Sequence, residues 1–154
     1  MTSLSTRVQA DPADHPAYSR TCRCEPSTAE IGRKLVRDAL GAWDLDDLAG
    51  LAELIISELV ANAVRHTSCQ SIRLTVGRPS TTWVRVGVLD QAPWRLPVLS
   101  PADDDDEAGR GLLLIDAVAC RWGYDLHSSG RRPWGKEVWA ELLTDADVPI
   151  GEQR

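Results

Sequence analysis

Apolar positions along the chain recur with two different periods, and the switches between them mark out the elements. Between Asp44 and Thr67, the residues Leu48, Leu51, Ala52, Ile55, Leu59 and Ala63 return every three or four positions. That is one apolar helix face, and it predicts a helix of roughly 20 residues. A shorter helix precedes it, since Ile31, Leu35, Val36 and Leu40 keep the same spacing. Ser27-x-x-Glu30 has the form of a capping box at its start, and Gly41 marks its stop. The period then changes to two. Ile72, Leu74 and Val76 alternate with Arg73 and Thr75, and Val84, Val86 and Val88 alternate with Arg85 and Gly87. Two strands with one apolar face each are expected over residues 71–76 and 82–89, joined through Gly77-Arg78-Pro79-Ser80.

The remaining pattern closes a single unit. A short strand is expected from Tyr18 to Cys24, before Pro26, and a helix from Gly109 to Val118, covered by Leu112, Leu113, Ile115 and Val118. Closing strands at Tyr124–His127 and Lys136–Leu142 flank a Ser-Ser-Gly-Arg-Arg-Pro turn. Residues 1–16 and 145–154 lack periodicity and are expected as tails, leaving one domain over 17–144. The expected architecture is an α+β two-layer sandwich: a mostly antiparallel mixed sheet covered on one face by two or three helices.

Composition narrows the function. With 154 residues, 43% of them hydrophobic, the chain can bury one ordinary core. A net charge of −6 and a pI near 5.0 argue against direct nucleic-acid binding, which needs clustered Lys and Arg. Cys22, Cys24, Cys69 and Cys120 do not have the Cys-x-x-Cys spacing of a zinc site. They are expected as reduced thiols of a cytoplasmic protein. No stretch has the length and apolarity of a membrane span or signal peptide, so neither membrane insertion nor export is expected.

Candidate chemistry sits at three places. Glu58 and Asn62 lie one helical turn apart and, with Arg65, fall within about 60° of one another beside the apolar stripe. At that rim a carboxylate and a carboxamide can share a divalent cation and a water. Asp90 stands at the end of the second alternating strand, where an ionised carboxylate can accept a hydrogen bond. Gly109-Arg110-Gly111-Leu112 stands at a helix entrance, where glycines and free backbone N–H groups let phosphate approach, and Arg110 can add a charge-assisted contact. The long connection 91–108 carries the acidic run Asp103–Asp106, expected as a solvated loop or a recognition patch for a basic partner. There is no GxxxxGK[ST] motif and no GxGxxG after a first strand.

Taken in order, these segments resemble the Bergerat-type ATP-binding fold of the GHKL superfamily, and within it the small bacterial anti-sigma factor serine kinases. ELVANAVRHT is similar to the superfamily's N box, VGVLDQAP to its adenine-recognition box, EAGRGLLLIDAVACRWGY to its glycine box and following helix, and GKEVWAEL to its last strand. The resemblance implies ATP and Mg²⁺ as ligands. Asn62 would coordinate the metal, Glu58 would be the general base, and Asp90 would read the adenine amine. Arg65, Gly109, Arg110, Gly111 and Leu112 would complete the nucleotide site. It also implies a sigma factor and a STAS-type anti-anti-sigma protein as partners, and a homodimer formed near the first strand. Larger members carry Asp-x-Gly-x-Gly where this chain has Asp90-Gln91-Ala92-Pro93-Trp94. The departure raises a second reading, an interaction module that binds a partner with little or no chemistry. An ATPase that only hydrolyses nucleotide is the third.

Overall fold

The sheet is built from pairings that run antiparallel throughout the described residues, so the expected mixed sheet is a purely antiparallel one. The structure, a computed structural model, describes residues 7–8, 16–97 and 107–144, with side chains over 16–97 and 112–144. In chain order the elements are β1 (Arg7–Val8), β2 (Ala17–Arg23), α1 (Thr28–Ala42), α2 (Ala49–His66), β3 (Ser71–Ser80), β4 (Trp83–Asp90), α3 (Glu107–Val118), β5 (Arg121–Ser129) and β6 (Arg132–Leu143). The strand order is β1-β2-β3-β4-β6-β5. The α+β sandwich read from the sequence is the observed fold. Part of the stretch expected as a loose tail is ordered, because Val8 pairs with Tyr18 and Arg7 with Ser19.

The period-two residues face the helices. Val88 pairs with Leu74 on one side and Val138 on the other, and Val86 pairs with Val76 and Ala140. All six side chains are at least 96% buried. Against them pack Leu35, Val36, Ala39 and Leu40 of α1 and Ala52, Ile55, Ile56, Leu59, Val60 and Ala63 of α2, with Leu112 and Ile115 of α3. Full burial of each larger aliphatic side chain contributes about 1.5–3 kcal/mol, so this one layer holds the sandwich together.

Local chemistry moved several boundaries. Ser27 does not cap α1: its backbone is already helical, and its hydroxyl donates to Glu25 Oε1 at 3.1 Å. The expected capping box is therefore not formed. Instead Thr28 Oγ1 donates to the Arg23 carbonyl at 2.6 Å and ties the helix start to the end of β2. Asp44 does not begin the long helix; it takes a positive φ of 58°, and a short 3-10 turn (Asp46–Leu48) precedes α2. Strand β3 runs past the expected connection to Ser80, because Arg78 N–H finds the Pro16 carbonyl at 3.0 Å as a partner. The β5–β6 hairpin turns at Gly130-Arg131, with Gly130 at φ 67°, a geometry open to glycine at little cost.

The face away from the helices is sealed by stacked charges. Arg85 lies 4.3 Å over the Trp139 ring and pairs with Asp125 at 2.6 Å and Glu137 at 3.4 Å. Arg121 lies 3.9 Å over the Trp83 ring and pairs with Glu141 at 2.7 Å. None of the six tryptophans is fully buried: Trp43 and Trp122 pack against the core from its edge, and Trp83 and Trp139 lie on this outer face.

Candidate functional site

Helix α2 is anchored by its apolar stripe, and that fixes what its flank presents. Glu58 and Asn62 are both half-buried beside the stripe, and neither has a hydrogen-bonding or ionic partner among the described residues. Their oxygens are therefore free to meet a ligand. Arg65 is exposed in the last turn, where its positive charge suits the helix C-terminus. Among the described residues no group of three or more His, Cys, Asp or Glu side chains converges on a metal position. A cation held by Asn62 would have to draw its other ligands from phosphate oxygens and water, which is how Mg²⁺ is usually bound.

The chain brings Asp90 to the same end of the sheet. From the C-terminus of α2 it needs only residues 67–70 to enter β3, and the end of β4 lies beside that entry. A hydrogen bond from Gln91 N–H to Cys69 Sγ at 3.2 Å links the two segments directly. Asp90 itself is 2% exposed. Its Oδ1 accepts from Ala92 N–H at 2.8 Å, which folds the following turn back over the carboxylate. Beyond that turn Trp94 is 74% exposed, so an aromatic ring stands free beside this end of the sheet.

Sequence reasoning missed Lys136. Its ammonium lies 2.9 Å from Asp90 Oδ1, 2.8 Å from Oδ2 and 2.9 Å from the Ala92 carbonyl. Both side chains of the pair are 3% exposed. Close approach of the strands depends on Gly135, where a Cβ would sit 2.7 Å from the Asp90 carbonyl oxygen. A signal was present: Lys136 is one of two lysines in the chain, and it occupies an inward position in the alternation Lys136, Val138, Ala140, Leu142. A buried lysine needs a buried partner.

Helix α3 begins at Glu107, two residues before the expected start, so Gly109, Arg110 and Gly111 lie inside its first turns rather than ahead of it. The first four N–H groups of a helix have no partner within it, so the amides of Gly109 and Arg110 still belong to the free set. The chain leaves α3 at Val118 and enters β5 opposite Glu141, at the far end of β6 from Lys136. A 12-residue helix spans about 18 Å, a length comparable to the stretch of β6 between Glu141 and Lys136. Leu112 is 3% exposed, which makes its side chain part of the core and leaves only its backbone for a ligand. The acidic run Asp103–Asp106 lies outside the described residues, as does the side chain of Arg110.

The family pattern of the histidine kinase-like ATPase domain matches residues 23–141. The chain belongs to the histidine kinase-like ATPase domain family. It is also 47% identical over 80 residues to an uncharacterized protein of Streptomyces coelicolor, covering 51% of this chain and 74% of that protein. Membership places the chain in the GHKL superfamily and implies that this ATPase-type domain binds ATP. Among the described residues no helix is long and apolar enough to cross a membrane.

Two thiols stand close to the site. Burial raises the Cys24 pKa, opposed by a contact with the Thr67 hydroxyl and reinforced by the nearby Cys69 and Asp90. Burial likewise raises that of Cys22, against the lowering influence of Arg20. A raised pKa leaves less thiolate at neutral pH, and the thiolate is the nucleophile. Iodoacetamide is therefore expected to alkylate exposed Cys120 first and Cys22 and Cys24 slowest, as followed by mass spectrometry. Fastest labelling at Cys24 would contradict the burial described.

Proposed function

We propose that this domain binds Mg·ATP and acts as a serine protein kinase and antagonist of a sigma factor, with a small STAS-type anti-anti-sigma protein as its substrate. The observation that carries the reading is the pair Glu58 and Asn62, half-buried one turn apart on α2 with no partner among the described residues. The donor chemistry fits, because a carboxamide oxygen suits a hard cation and a carboxylate beside it can accept a proton. When bound, Mg²⁺ would neutralise charge on the triphosphate. Asn62 would orient that cluster, and Glu58 would take the proton from the serine hydroxyl of the partner. The backbone amides at the start of α3 would meet the phosphates, and Asp90 would accept a hydrogen bond from the adenine amine. Homodimerisation near β2 belongs to the same reading, with β1 covering that edge at Tyr18 and Ser19.

A second reading keeps the fold and omits the transfer. It is favoured by the absence of glycines after Asp90, which leaves the turn through Gln91, Ala92 and Pro93 fewer conformational options. Transfer of labelled γ-phosphate to a co-purified partner separates the two: transfer to a serine supports the kinase, and binding without transfer supports the interaction module. Asn62→Ala is expected to remove the gain in ATP affinity that Mg²⁺ confers on the wild-type protein. Equal wild-type affinity with and without Mg²⁺ would rule out the metal role.

A further inference from the structure

Strand β2 turns Tyr18, Arg20 and Cys22 toward the helices, because their partners Val76, Leu74 and Ile72 are core residues. An arginine in that row is out of pattern. Arg20 is half-buried, its Nε is shielded from solvent, and it has no hydrogen bond or ion pair among the described residues. A charge drawn this far from water normally brings a counter-charge with it, and no described residue supplies one.

Arg20 instead borders two hollows, of 530 Å³ and 210 Å³, that share it and Lys34. Along α1 their lining runs from Ser27 to Ala39, a stretch of about 18 Å. Arg33, Lys34 and Arg37 add positive charge to this groove, against Glu30 and Asp38. Those three cations are already held: Arg33 donates to Ser57 Oγ at 3.0 Å, Lys34 pairs with Asp38 at 3.0 Å, and Arg37 pairs with Glu53 at 3.0 Å. The lining keeps an excess of positive charge on a chain whose net charge is −6.

We infer that the groove between β2 and α1 docks an extended acidic segment of a partner protein, with one of its carboxylates seated on the Arg20 guanidinium. The planar fork of a guanidinium matches a carboxylate, and clustered arginines are a recurrent means of reading acidic segments. The length of the groove favours a peptide over a lone anion, because about five or six extended residues span it. Ile31 and Leu35 give the same groove apolar surface for the intervening side chains. Its lining shares no residue with Glu58, Asn62, Asp90 or α3, so binding here is read without nucleotide.

Fluorescence anisotropy of a labelled hexaglutamate peptide, with the full chain and no nucleotide, tests the groove. Wild type is expected to bind the peptide at low ionic strength and to release it as salt is added. Arg20→Leu is expected to weaken binding on the order of 10- to 100-fold, the effect of losing a charge-assisted hydrogen-bonded contact. Leucine suits an inward position beside Leu74, so the same variant is expected to hold or raise the unfolding midpoint. An arginine kept for the fold alone would lower it. Arg131→Ala removes the same charge from an exposed site in the β5–β6 turn, and it is expected to leave affinity within about twofold of wild type. Unchanged affinity in Arg20→Leu, an equal loss in Arg131→Ala, or a lowered midpoint in Arg20→Leu would overturn the inference. A wild type that ignores the peptide would overturn it too, as would inorganic phosphate displacing the label as readily as unlabelled peptide does. Self-association of the wild type that Arg20→Leu abolishes, without any effect on peptide binding, would give the groove to a second copy of the chain instead.

Discussion

Glu58→Gln is expected to lower the rate of γ-phosphate transfer by about 10²- to 10⁴-fold, the contribution of a general base, while leaving Mg·ATP affinity close to that of wild type. The substitution keeps the shape of the side chain and removes its capacity to take a proton. Because Glu58 is half-buried at the flank of the apolar stripe and has no partner among the described residues, no described ion pair is broken. Stability should therefore change little. A loss of transfer that accompanied a matching loss of binding would move Glu58 from chemistry to ligand positioning. Undiminished transfer would remove it from the mechanism.

The second large effect concerns stability. Asp90→Asn or Lys136→Met alone leaves a buried charge without its partner, and the expected cost is about 3–5 kcal/mol for each. Against a total stability of about 5–15 kcal/mol, either change should lower the unfolding midpoint sharply. The double variant removes both charges, and it is expected to recover most of that loss, because a buried ion pair and a neutral replacement are often close in free energy. A double-mutant cycle by urea denaturation measures the coupling directly. Additive costs in the double variant would mean that the two side chains do not depend on one another, contrary to their 2.8 Å contact.

How much of this the sequence disclosed follows from the range of the interactions involved. The stripe on α2 and the alternation in β3 and β4 are local patterns, and both predicted their elements because the same face that repeats is the face that is buried. Element ends depended on partners far along the chain. The hydroxyl that ties down the start of α1 is that of Thr28 rather than Ser27, because the nearby acceptor is the Arg23 carbonyl at the end of β2. Strand β3 gained its last residues from a hydrogen bond to Pro16, 62 positions earlier than Arg78. Glu58 and Asn62 were legible as a pair because both sit on one helix. Asp90 was legible as a strand end, but its bond to Lys136 spans 46 residues and depends on a strand register that periodicity alone does not supply. The outer-face stacks of Arg85 on Trp139 and Arg121 on Trp83 were hidden for the same reason.

The central claim is that ATP enters between the flank of α2, the turn after β4 and the start of α3. Amide chemical shifts of the labelled protein, followed as a non-hydrolysable ATP analogue is added with Mg²⁺, test it most directly. The shifts are expected to concentrate at Glu58–Arg65, at Asp90–Ala92 with Lys136, and at Glu107–Leu112, while the outer sheet face around Arg85 and Trp139 stays still. Shifts confined to that outer face, or no shifts at saturating analogue, would contradict the account.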